Sequence, residues 1–218
     1  MEPAFWQDKW TRGEIGFHLP FVNPKLIAHW PALQLPAGAR VFVPLAGKTL
    51  DLRWLREQGH AVVACELSEV AAREFFAEAG LAPTVQSAGA LQRWSAGGID
   101  YLIGDFFALE SATLGPVDAV YDRGALVALP PDLRARYVTR LRELTGPGTR
   151  TLLITLEYDQ SQMSGPPFSV PEADVRAAFG PTHELALLSR EDILPEEPRF
   201  AARGVTALDS CAWTLVRR

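Results

Sequence analysis

Residues 41–66 read VFVPLAGKTLDLRWLREQGHAVVACE, and this stretch decides the fold. Val41, Phe42 and Val43 form a short apolar run ended by Pro44, and Gly47 supplies a turn. Leu52 and Leu55 stand three apart, on one face of a helix. Gly59 follows at the position where a left-handed C-cap costs least. Ala61 to Cys65 is continuously apolar, as in a parallel strand buried on both faces. Glu66 then falls at the carboxyl end of that strand. A βαβ unit with glycine after its first strand and a carboxylate after its second is a nucleoside pocket. The glycine admits the ligand to the backbone, and the carboxylate accepts from ribose hydroxyls.

Outward from this unit, strands and helices alternate. Ser68 N-caps a helix that runs to Ala79 with Phe75 and Phe76 on its core side, and Gly80 stops it. Leu91–Trp94 reads as a short strand, and Ala96, Gly97 and Gly98 as a hairpin turn before the strand Tyr101–Ile103. Gly104, Asp105 and Phe106 follow. A small residue, a carboxylate and an aromatic at a strand end suit an adenine base, and the alternative is a plain Asx turn. Val117–Tyr121 is a fourth buried strand, ending in Asp122, Arg123 and Gly124. Pro130 and Pro131 open a helix with the stripe Leu133, Tyr137, Leu141 and Leu144. Its arginines 134, 136, 140 and 142 read as a solvated face. Thr151–Leu156, His183–Ser189 and Cys211–Val216 are the remaining strands, with a short helix over 173–179. The pattern predicts an α/β fold: a doubly wound, mostly parallel sheet with helices on both faces and an antiparallel pair at one edge.

The chain has 218 residues, read as a single domain 1–218 with a leader segment over 1–36 and a core over 37–218. A formal net charge of -5 argues against a nucleic-acid partner, which selects a basic face. No uncharged run reaches the roughly 20 residues of a membrane helix, and the charged N-terminus is unlike a signal peptide. These features predict a cytoplasmic, monomeric protein without membrane contact. Cys65 and Cys211 lie in apolar runs and read as buried reduced thiols. His18, His29, His60 and His183 lack metal-ligand spacing, so no metal site is expected, and each reads as a surface or core histidine. The leader carries Phe5, Trp6, Trp10, Phe17, Phe21 and Trp30. It is either a helix packed on the domain or a lid, with Trp10 and Phe17 as the lid's inner face. The loop from Glu157 to Pro171 holds Gly165, Pro166, Pro167 and Phe168 and reads as a binding loop.

Spacing narrows the nucleoside. A P-loop needs its first glycine where Phe42 stands inside the strand. A pyrophosphate-binding turn needs a second glycine, where this chain has Lys48 and Thr49. A nucleoside cofactor without phosphate remains, and S-adenosyl-L-methionine is the common one.

The segments FWQDKW, IGFH, VFVPLAGKTLDLRWLREQGH, ACELSEVA, GDFF, VDAVYDRGALVALP, EYD, GPPFSVP and RGVTALD run nearly end to end. Together they resemble the bacterial thiopurine S-methyltransferases, within the class I S-adenosylmethionine-dependent methyltransferases. Ala46 departs from that pattern, where relatives usually carry cysteine. The resemblance implies a seven-stranded Rossmann-like sheet with an N-terminal helical lid. It implies that Trp10, Leu45, Glu66 and Arg123 hold the cofactor, with Gly47 in its loop and Asp105 and Phe106 at the adenine end. Phe17 matches a position that contacts the acceptor, and Arg123 serves either the cofactor or an anionic substrate. The implied activity is S-methylation of thiopurines or other aromatic and heterocyclic thiols, with selenium or tellurium oxyanions as a further acceptor class. A non-catalytic adenosyl-ligand binder is the alternative. Because the cofactor supplies the electrophile, no catalytic base is assigned. Asp122 is the nearest candidate, and its alternative role is a structural partner of Arg123.

Overall fold

A computed structural model of the chain describes residues 3–218, so residues 1 and 2 of the leader lie outside the described residues. Nine strands occur among the described residues: β1 (Arg40–Pro44), β2 (Ala61–Glu66), β3 (Thr84–Ala88), β4 (Leu91–Ala96), β5 (Ile99–Ile103), β6 (Ala119–Arg123), β7 (Arg150–Glu157), β8 (His183–Asp192) and β9 (Asp209–Arg217). They form one sheet in the order β3-β4-β5-β2-β1-β6-β7-β9-β8. The five central strands β5, β2, β1, β6 and β7 are parallel, and both edges are antiparallel.

The α/β class and the opening βαβ unit hold, and the strand count is corrected from seven to nine. The second antiparallel edge comes from the β3–β4 hairpin, which extends β5. β4 and β5 turn back on each other at Gly97 and Gly98, with Ala96 opposite Ile99. β3 reads TVQSA and is almost wholly exposed, so it offers no apolar alternation to read.

Alternation along β1 sorts its side chains into two cores. Phe42 joins Val63, Leu102, Val120 and Leu153 against Tyr137, Leu141 and Phe179 on one face. Val41 and Val43 join Val62, Ala64 and Tyr101 against Leu26, Trp30, Leu52, Leu55, Phe75 and Phe76 on the other. Helices therefore cover both faces, as a parallel sheet requires. Ser68 does cap its helix, with Oγ accepting from Ala71 N at 3.4 Å. The leader docks on the second core. Trp30 Nε1 donates to His60 Nε2 at 2.9 Å, and Asn23 N donates to Asp51 Oδ1 at 2.8 Å.

The solvated-arginine reading of the helix Pro131–Leu144 holds for Arg136 and Arg142 and is corrected for Arg134 and Arg140. Arg134 is buried, and its guanidinium donates to Ser169 O at 3.1 Å and to Asp174 Oδ2 at 3.3 Å. Arg140 is half-buried and reaches Leu109 O at 2.6 Å. Arg142 is exposed as expected.

Candidate active site

The carboxyl ends of β1, β2, β5 and β6 open into one cavity of about 1150 Å³. Trp10, Phe17, Leu45, Gly47, Glu66, Asp105, Phe106 and Arg123 all lie on its wall. Ligand pockets usually run to roughly 1,000 Å³, so this one has room for two reactants side by side.

Its floor is the loop after β1. Ala46 N donates to Cys65 O at 3.0 Å, tying this loop to β2. Leu45 has φ 47° and Gly47 φ 56°. The left-handed region suits glycine, and a leucine there is held by its surroundings, as at ligand clamps. The sequence gives no sign of it, because position 45 carries no glycine. A Cβ on Gly47 would lie 3.3 Å from Trp10 Cζ2, so the indole rests directly on the bare Cα. Tyr101 OH donates to Gly47 O from beneath.

Glu66 is buried beside this floor. Its Oε2 accepts from Gly47 N and its Oε1 from Ser68 N, each at 2.9 Å. Burial pushes its pKa up, opposed by the backbone N–H groups of Ser68, Gly47 and Leu67. Each carboxylate oxygen keeps a further lone pair for a ligand. A buried carboxylate above a glycine floor fits a ribose diol, so the residues present suit an adenosyl group.

Beyond β5, Asp105 Oδ1 accepts from Phe107 N at 2.9 Å, so the Asx turn forms, on the cavity wall. Phe106 is buried, with its ring parallel to Phe42 at 6.4 Å and tilted on Tyr137 at 4.9 Å. At β6 the partnership expected between Asp122 and Arg123 does not form. Asp122 instead accepts from Tyr137 OH at 2.7 Å and Leu126 N at 3.1 Å. Successive strand residues point to opposite faces, which separates the two. Burial pushes Asp122 up to about 6. Among the described residues it is absent from the cavity wall, so it is not positioned as a base.

Arg123 reaches the leader instead, with Nη1 donating to Phe17 O at 3.2 Å. Arg199 donates to Gly16 O alongside. Phe17 meets Trp6 and Trp10 edge-on at 5.7 and 5.6 Å. Gly165, Pro166 and Pro167 also line the cavity, whereas Phe168 packs its ring beside Gly165 and its backbone N–H donates to Val127 O at 2.6 Å. His18, Arg136, Arg199 and Arg203 are on the wall as well. Sequence reasoning assigned them no role there, because single residues far apart in the chain leave no spacing pattern.

A family model for thiopurine S-methyltransferase matches residues 1–218. The chain belongs to the thiopurine S-methyltransferase family. Thiopurine S-methyltransferases of Xanthomonas campestris pv. campestris and Nitrosomonas eutropha are 50% and 48% identical to it over 217 residues. Those matches cover 100% of this chain and, respectively, 100% and 99% of the relatives. The protein is therefore an S-adenosylmethionine-dependent methyltransferase. Its fold matches a methyltransferase of Thiobacillus denitrificans in complex with S-adenosyl-L-homocysteine, with TM-score 0.63, 20% identity and coverage of 100% and 99% of the two chains. A methyltransferase from Anabaena variabilis gives TM-score 0.66 at 14% identity, covering 99% and 95%. Like those enzymes, this family member has an α/β sheet of class I type.

Proposed function

We propose that this cavity transfers a methyl group from S-adenosylmethionine to the sulfur of thiopurines or other aromatic and heterocyclic thiols. The observation that carries the reading is the joining of two walls in one cavity. A Gly47–Glu66 floor suits a nucleoside, and the facing aromatic segment of Trp6, Trp10 and Phe17 suits a flat acceptor. The 50% identical relative of Xanthomonas campestris is named for methylation of thiopurine sulfur.

When bound, S-adenosylmethionine supplies an electrophilic methyl group on a sulfonium. Glu66 accepts from the ribose hydroxyls, Gly47 lets the ligand approach the backbone, and Leu45 packs near the methionine portion. Asp105 and Phe106 frame the adenine. Trp10 closes over the cofactor as the inner face of a leader that acts as a lid. Phe17 lies against the acceptor, and Arg123 fixes the lid tip through Phe17 O while offering its charge to an anionic acceptor. Holding acceptor and methyl group in line supplies up to ~7–11 kcal/mol. A thiolate attacking a sulfonium neutralises charge, so a water-poor aromatic cleft favours the reaction. On this reading the chain acts as a single monomeric unit over 1–218. The buried thiols Cys65 and Cys211 suit the reducing cytoplasm.

Incubation with methyl-labelled S-adenosylmethionine and a panel of thiols tests the reading. Labelled thioethers are expected, with thiopurines among the substrates; absence of turnover over the whole panel overturns it. Selenium and tellurium oxyanions belong in the same panel, because Arg123, Arg199 and Arg203 line the cavity.

A further inference from the structure

Three of the four histidines have structural partners. His29 Nε2 lies 2.9 Å from Ser189 Oγ, His60 Nε2 accepts from Trp30 Nε1 at 2.9 Å, and His183 Nδ1 lies 2.9 Å from Thr182 Oγ1. His18 differs. It alone of the four lines the cavity. Its hydrogen bond among the described residues is made by the backbone, N–H to Ile15 O at 2.8 Å, which leaves the imidazole uncommitted. That bond closes a turn whose two central carbonyls are both pinned, Gly16 O by Arg199 and Phe17 O by Arg123. Two guanidiniums on consecutive carbonyls fix the tip that presents Phe17 and His18 together.

We propose that His18 is the proton acceptor for thiol substrates in this cavity, resting on the methyltransferase reading above. The S–H proton bonds to an imidazole nitrogen and its electron pair stays on sulfur. That sulfur forms the new bond to the methyl carbon. The carbon–sulfonium bond breaks, and its pair returns to the cofactor sulfur, leaving a thioether, S-adenosylhomocysteine and an imidazolium. The imidazolium then releases its proton to water.

The charges around His18 set its resting form. Burial lowers its pKa, and Lys48 from the loop after β1 and Arg123 from the end of β6 lower it further. Glu78 and Glu74, on the helix Glu69–Glu78, oppose them. Lys48 is itself paired to both glutamates, at 2.7 and 2.9 Å, which moderates its influence. Burial and these cations favour the neutral ring, whose uncommitted lone pair can accept a proton. The same cations stabilise the thiolate left behind. Strongly acidic thiols are already ionised and need no base. Ordinary thiols, with pKa near 8.5, do.

The test is His18→Gln in the full chain, with kcat/KM measured at pH 7 over thiols of graded acidity. The wild-type to variant ratio is expected to climb with thiol pKa, from near one to about a hundredfold, the usual scale of general-base catalysis. A ratio that stays flat across the series, at any height, overturns the proposal and leaves a positioning role. Calorimetry with S-adenosylhomocysteine is expected to show unchanged affinity, and a tenfold loss also overturns it. An NMR titration of the His18 ring in the wild-type protein needs no variant. Its pKa is expected to coincide with the acid limb of kcat/KM for a weakly acidic thiol, and a mismatch counts against the proposal. A wild-type enzyme inactive on every thiol refutes the functional reading itself, a result distinct from any of these.

Discussion

Glu66 serves two purposes. It joins the loop after β1 to the start of the helix after β2 through Gly47 N and Ser68 N, and it faces the cavity. Glu66→Gln keeps the shape and removes the charge. Calorimetry is expected to show S-adenosylhomocysteine binding weakened by about 1.5–3 kcal/mol, the worth of a hydrogen bond to a charged group. Unchanged affinity in a folded variant contradicts the ribose placement. Asp122 makes a separate prediction. Burial holds it protonated up to about 6, against 3.8 when unfolded, so between those values the folded state binds the extra proton. Its contribution to stability is full below pH 3.8 and is lost as pH rises through about 6. The interval is worth about 3 kcal/mol. Urea midpoints from pH 4 to 7 are expected to fall less steeply for Asp122→Asn than for wild type, and parallel curves refute this. Glu66 was legible as a carboxylate ending a buried strand. The partner of Asp122 was not, because strand alternation sends Asp122 and Arg123 to opposite faces and Tyr137 comes from a distant helix.

Among the elements, the loop after β1 depends on Gly47 for two reasons. Its φ of 56° disfavours any side chain, and Trp10 Cζ2 lies only 3.3 Å from where a Cβ would sit. Gly47→Ala is expected to lose about 1–2 kcal/mol of stability through the left-handed backbone and to weaken cofactor binding as Trp10 is displaced. Gly59→Ala is the control. Its φ is 88° with open space around a Cβ, so a comparable stability loss is expected with cofactor affinity retained. Equal affinity losses in the two variants contradict the Trp10 contact. The buried strands were legible because continuous apolar runs such as Ala61–Cys65 have few alternative fates. β3 was not, since TVQSA pairs on one side only and is otherwise exposed. Arg134 was misread because a helix periodicity locates the apolar stripe and says nothing of which polar residue meets a loop carbonyl, here Ser169 O.

For the molecule as a whole, the sheet brings the carboxyl ends of β1, β2, β5, β6 and β7 to one cavity, and the leader contributes a further wall. That convergence was legible only through motif order, since Trp10, Phe17 and Arg199 are joined by topology rather than by spacing. A ligand bound to the folded state alone stabilises it by about 2.7 kcal/mol at a hundredfold its Kd. For a chain of this length, S-adenosylhomocysteine at that concentration is expected to raise Tm by about 5–11 °C, and no shift contradicts the cofactor site. The central claim is that the methyl group goes to sulfur. Incubation with trideuteromethyl-labelled S-adenosylmethionine and a thiopurine, followed by mass spectrometry and NMR of the product, reads it directly. The expected result is a label on the exocyclic sulfur, equimolar with S-adenosylhomocysteine; a label on a ring nitrogen, or no labelled product, contradicts the account.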